Sequence, residues 1–104
     1  MAKIQIDVPG EKISAFCRKW KVRELSLFGS VLQENFGPDS DVDIVVEFEA
    51  SVTHSLLDMV SMKEELEEIF GREVDLMTRQ AVEQSRNYIR RKAIMSSIEV
   101  IYVA

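Results

Sequence analysis

Cysteine is all but missing from this sequence. Cys17 stands alone among 104 residues, so no disulfide can form within the chain. That fits a reducing compartment, and the expected location is the cytoplasm. His54 is the only histidine and has no Cys or His neighbour, which makes it a poor zinc ligand and a better loop or capping residue. No run of about 18 apolar residues occurs, so no membrane-spanning helix is predicted. Met1-Ala2-Lys3 leads straight into the alternating Ile4-Gln5-Ile6-Asp7-Val8, without a secretory leader pattern. Positive charge is also in deficit, with 13 Lys and Arg against 18 Asp and Glu and a net charge of −5. A protein that grips long nucleic acid needs a basic surface, so none is expected as a partner. The basic cluster Arg86, Arg90, Arg91, Lys92 is local and reads as a solvated helix face; docking a protein partner or a nucleotide phosphate is its other reading. No linker, repeat or low-complexity stretch divides the chain, so residues 1–104 are expected to form one domain with one modest core.

Apolar spacing supplies the elements. Ile13, Phe16, Cys17 and Trp20 fall on one helical face, and Pro9-Gly10 marks the start of that helix. Cys17 then reads as a small buried hydrophobe. A longer helix is predicted from Leu56 to Phe70. Ser55 is its N-cap with Asp58 three residues on, Met59, Met62, Leu66, Ile69 and Phe70 form its buried stripe, and Gly71 stops it. A last helix is predicted over about Gln80 to Met95, with Val82, Ile89 and Ala93 on one face. Ile98 to Val103 reads as a final strand or the end of that helix. Leu25-Ser26-Leu27-Phe28, Asp41 to Phe48 and Glu73 to Met77 read as strands. The class is therefore α/β (α+β), a mixed β-sheet with helices packed on it.

The chemistry lies where these strands begin and end. Leu25–Phe28 closes on Gly29-Ser30; ten residues later Asp41-Val42-Asp43 opens the next strand. Successive strand side chains point to opposite faces, so Asp41 and Asp43 share one face and Val42, Ile44 and Val46 the other. Paired carboxylates repel unless a cation lies between them, and Mg²⁺ takes such oxygens together with substrate phosphates. Gly29 lets backbone approach a phosphate. Ser30 adds a hydroxyl and an N–H and is expected to cap a short helix whose first N–H groups face the anion. Asp75, opposite in parity to Val74 and Leu76, is a third carboxylate, a metal ligand and a general base for an acceptor hydroxyl. Glu47 and Glu49 extend the parity of Asp41 and Asp43, with Val45 between; they are expected to be solvated beyond the site, with a place at its border as the other reading of Glu47. Phe36-Gly37-Pro38-Asp39-Ser40 reads as a polar turn.

Gly29, Ser30, Asp41, Asp43 and Asp75, with Leu27-Phe28 before the glycine and Pro38-Asp39-Ser40 before the acids, resemble the nucleotidyltransferase superfamily of DNA polymerase β type. They look most like its minimal members, the MNT domains of HEPN/MNT toxin–antitoxin pairs. The resemblance runs from about Ile13 to Tyr102. It implies a polymerase-like palm, two Mg²⁺ ions held by Asp41, Asp43 and Asp75, and a triphosphate, of ATP or another NTP, held by Gly29 and Ser30. It implies an antitoxin that transfers AMP to a tyrosine of a HEPN-domain partner, in a homo- or hetero-oligomer. The alternative it leaves is a non-catalytic antitoxin that neutralises the partner by association. One position departs from the pattern: Gln33 stands where many such proteins carry an arginine. Arg79, Arg86 and Arg90 are candidate replacement cations.

Overall fold

A computed structural model describes residues 8–29, 41–84, 92 and 98–104. Ser30, the short helix expected to start there, Gln33, the turn at 36–40, Arg86, Ile89, Arg90, Arg91 and Ala93 lie outside those residues. The described elements are α1 (Gly10–Trp20), β1 (Val22–Phe28), β2 (Val42–Phe48), α2 (Leu56–Phe70), β3 (Val74–Thr78), α3 (Arg79–Glu83) and β4 (Glu99–Val103). Among the described residues, no helix is long and apolar enough to cross a membrane.

The strands form one mixed sheet in the order β3-β2-β1-β4. β1 is antiparallel to both β2 and β4, and β2 is parallel to β3. Parallel neighbours need a crossover, and α2 supplies it. α2 has the expected capping box: the Asp58 N–H donates to the Ser55 hydroxyl at 3.1 Å, and the Ser55 N–H to the Asp58 carboxylate at 3.2 Å. It ends at Gly71 in the left-handed region, whose N–H donates to the Glu67 carbonyl. α1 ends at Lys21, also left-handed, with its N–H on the Cys17 carbonyl.

The main core lies between α1, α2 and one face of the sheet. Ile13, Phe16 and Cys17 meet Leu25 and Leu27, Val42, Ile44 and Val46, and Met62 and Leu66. Full burial of an aliphatic side chain of this size is worth about 1.5–3 kcal/mol, so the predicted helix stripes and the Val42–Ile44–Val46 parity are what hold the layers together. A second, smaller cluster of Phe28, Val45 and Val82 lies on the other face. Val45, which lies between the acids of β2, is buried there because Val82 of α3 covers it.

Three boundaries differ from the sequence reading. β1 begins at Val22 rather than Leu25, since the ladder continues through Val22–Phe48 and Glu24–Glu47. The last helix starts at Arg79, because the Thr78 hydroxyl accepts from the Ala81 N–H at 3.0 Å, and it closes at Glu83 with Gln84 as its C-cap instead of running unbroken toward Met95. Lys92 is also helical. Residues 99–103 are a strand, paired with β1.

Candidate active site

The face of the sheet away from α1 and α2 carries three rungs of side chains. Across the first, Phe28 pairs with Asp43 and Asp43 with Asp75. Across the second, Ser26 pairs with Val45 and Val45 with Met77. Across the third, Glu24 pairs with Glu47, and Arg79 follows Met77 at the same parity. Val82 of α3 packs on Val45 of the second rung and on Phe28, the β1 end of the first.

The sequence-predicted acids Asp43 and Asp75 therefore stand on adjacent parallel strands, which lie about 4.8 Å apart. Asp43 is half-buried and Asp75 exposed. Gly29 joins them: it has φ +75°, and a Cβ built on it would lie 2.5 Å from Oδ2 of Asp43. A glycine is needed there for the left-handed backbone and for the space the carboxylate occupies. Asp41 precedes β2, and its side chain is exposed. Its neighbourhood includes the Lys63 ammonium, held charged above its ordinary range first by a hydrogen bond to Glu67 and further by the Glu67, Glu73 and Asp41 charges. The Glu67 carboxylate also accepts from the Val74 N–H at 3.1 Å, tying α2 to the start of β3.

Among the described residues, no group of three His, Cys, Asp or Glu side chains is arranged to hold a metal ion. A set of hard carboxylate oxygens still fits Mg²⁺, which is commonly bound through one or two carboxylates with substrate phosphates and water completing its shell. The glycine cradle keeps the space beside Asp43 clear of side chain.

Arg79, a candidate replacement cation, is committed elsewhere. Its Nη1 lies 3.2 Å from Glu24 and 3.5 Å from Glu47, and its Nε donates to Glu83 at 3.1 Å. This corrects the expectation that Glu47 is merely solvated. Parity carried the signal, since Arg79 stands four residues after Asp75 and Glu47 four after Asp43. Arg86 and Arg90 lie outside the described residues.

Two other residues take structural places. His54 Nε2 donates to the Trp20 carbonyl at 2.7 Å, and its ring packs edge-on against Phe48 and Trp20, 4.5 and 5.7 Å between centroids. It clamps α1 and the end of β2 beside the cap of α2. Cys17 is fully buried, and burial pushes its thiol up to about 12, so it is no nucleophile.

A four-stranded mixed sheet, with two helices behind it and paired acids beside a glycine turn in front, defines the palm class of phosphoryl-handling folds. The chain belongs to the nucleotidyltransferase domain family, whose model matches residues 11–100. A Methanocaldococcus jannaschii protein named as a protein adenylyltransferase is 45% identical over 67 residues, which are 64% of this chain and 70% of the relative. The protein adenylyltransferase MntA of Thermococcus cleftensis is 39% identical over 64 residues, 62% of this chain and 63% of that protein. Among solved structures, one described as a minimal nucleotidyltransferase superposes with a TM-score of 0.65 at 26% identity, over 86% of each chain. The tri-AMPylated HEPN toxin of Shewanella oneidensis in complex with its MNT antitoxin provides a chain of the same fold, with a TM-score of 0.61 at 21% identity, over 91% of this chain and 70% of that one. The chain is thus a nucleotidyltransferase domain with the fold of a minimal nucleotidyltransferase.

Proposed function

We propose that this nucleotidyltransferase transfers AMP from ATP to a hydroxyl of a HEPN-domain partner, a tyrosine in the reading that carries furthest, and that this silences the partner. The observation that carries it is the register of Asp43 with Asp75 beside a glycine whose absent side chain leaves room for the Asp43 carboxylate. The names of the relatives and the toxin complexes among the structural neighbours support the choice of substrate and partner.

In this reading Asp41, Asp43 and Asp75 would hold two Mg²⁺ ions, and Gly29 with Ser30 would hold the triphosphate. The bound ions would neutralise charge on the attacking and leaving oxygens. Asp75, the more exposed of the registered pair, accepts the acceptor hydroxyl proton. The hydroxyl oxygen then bonds to the α-phosphorus, the bond from that phosphorus to the bridging oxygen breaks, and pyrophosphate leaves. Positioning and charge neutralisation do the rest.

One observation favours a second reading. Arg79 is engaged by three glutamates, so it does not make good the arginine absent at Gln33, and weak chemistry leaves association as the means of neutralisation. The deciding experiment incubates the protein and its HEPN partner with Mg²⁺ and α-labelled ATP, beside Asp43→Asn. Label on the partner that vanishes in the variant supports transfer. An unlabelled partner that is still neutralised by the variant supports association.

A further inference from the structure

We infer that Arg79 is a positioning residue for the Asp43–Asp75 pair. The inference rests on the reading of that pair as metal-binding. Three observations carry it.

The first is the like-charge contact that Arg79 resolves. Glu24 and Glu47 are direct partners across β1 and β2, an arrangement that destabilises a ladder when unpaired. The Arg79 guanidinium reaches both, at 3.2 and 3.5 Å. The side chains are only 24% and 34% exposed, and that of Arg79 36%, so the charges are partly shielded from water.

The second is the shortness of α3. Five residues make no stable helix alone. α3 is held by its Thr78 cap, by buried Val82 and by the Arg79 clamp, which also ties Arg79 to Glu83 one turn on. The third is adjacency. Val82 packs on Phe28, which directly precedes Gly29 and is the ladder partner of Asp43, and on Val45, two residues beyond Asp43. β3, which runs straight into Arg79, carries Asp75. The third rung thus locks α3, and α3 presses on Val45 in the second rung and on Phe28, the ladder partner of Asp43, in the first.

Coulomb attraction and positioning make opposite predictions. Arg79 stands four strand residues from Asp75, roughly 13 Å at the usual rise, beyond the screening length of about 8 Å in physiological salt. Removing its charge would by field alone leave Mn²⁺ binding unchanged or slightly tighter. Loss of positioning weakens it.

The test titrates Mn²⁺ into the full chain, with free ion read by electron paramagnetic resonance, at a temperature where circular dichroism shows each variant folded. Arg79→Met keeps the stem and loses the fork, and its Mn²⁺ affinity is expected to fall about tenfold, as for other residues that support metal ligands. Arg79→Lys, which keeps the charge without the planar fork, is expected to lie between, and it carries the test if Arg79→Met does not fold. Arg79→Met with Glu47→Gln is expected to recover affinity, because the Glu24–Glu47 repulsion is gone. In the metal-free protein, the amide resonances of Gly29, Asp43 and Asp75 are expected to move in Arg79→Met. Wild-type affinity or tighter, with those resonances unmoved, overturns the inference. A wild-type chain that binds no Mn²⁺ overturns the metal reading instead, and the amide shifts then decide the placement of Arg79 by themselves.

Discussion

A methyl group on Gly29 would stand 2.5 Å from Oδ2 of Asp43. The glycine is therefore a steric condition on the position of the carboxylate as well as a backbone requirement. Gly29→Ala is expected to cost about 1–2 kcal/mol from the left-handed backbone alone, read as a lower urea midpoint. It is also expected to abolish AMP transfer in the fraction that remains folded. Unchanged transfer would mean that Asp43 acts from another rotamer.

Asp43→Asn and Asp75→Asn keep volume and remove charge. Each is expected to cut Mg²⁺-dependent transfer on the order of a hundredfold or more while leaving the far-ultraviolet spectrum unchanged. Asp75 is exposed at the head of β3, so no core contact is lost with its charge. A labelled-ATP time course on both variants checks this, and full activity in Asp75→Asn would remove it from the role of base.

Cys17 carries a prediction in alkali. Its folded thiol is pushed up from 9.0 to about 12 by burial. Above pH 9 the unfolded chain loses this proton and the folded chain keeps it, so stability is expected to fall as pH rises from about 9 toward 12. Cys17→Ala removes that slope. Denaturation midpoints across the range, with and without the substitution, measure it. Thiol reagents are expected to label Cys17 only as the protein unfolds.

The cap of α2 carries a prediction in acid. The Asp58 carboxyl is held below its ordinary range, first by the Ser55 N–H and then by His54. A depressed carboxyl contributes stability above its unfolded value of 3.8 that is lost as pH falls through the folded one. The acid limb of the stability profile is expected to flatten in Asp58→Asn. Ser55→Ala is expected to cost about 1 kcal/mol at neutral pH, measured by urea denaturation.

Leu56, Leu57 and Val60 are exposed on the first turns of α2, at 86%, 79% and 52%. Replacing Leu56 and Leu57 by Ser is expected to change stability by no more than about 0.5 kcal/mol each. A larger loss by thermal denaturation would show that these side chains pack on something in the folded chain.

The two long helices, the core parity of β2 and the outward parity of Asp43 and Asp75 are legible in the sequence because each follows from periodicity and local capping; the meeting of the two acids needs the parallel pairing of β2 with β3. Val22–Glu24 was not legible as strand. Arg23 and Glu24 break the apolar run, and what makes the segment strand is the pairing of Val22 with Phe48 and of Glu24 with Glu47, with Arg23 at the irregularity between them. The burial of Val45 depends on α3 folding over it, a non-local event with no trace in β2 itself. The stop of α3 at Glu83 and the role of Arg79 belong to the same contact. His54 reads as a loop residue and is one, but its clamp joins three elements that are distant in sequence. The candidate carboxylates were readable as residues; the arginine that braces the rungs beneath them was readable only as a charge.

The parallel pairing of β2 with β3 has one more consequence. Asp43 and Asp75 are brought together by a crossover that needs the whole of α2 between them, so no hairpin or other local fragment contains the pair. A chain that has been synthesised through β2 carries Asp41 and Asp43 but lacks Asp75, and so has only part of a site. Competence for chemistry thus arrives with the last steps of assembly, and an incomplete molecule is silent rather than promiscuous.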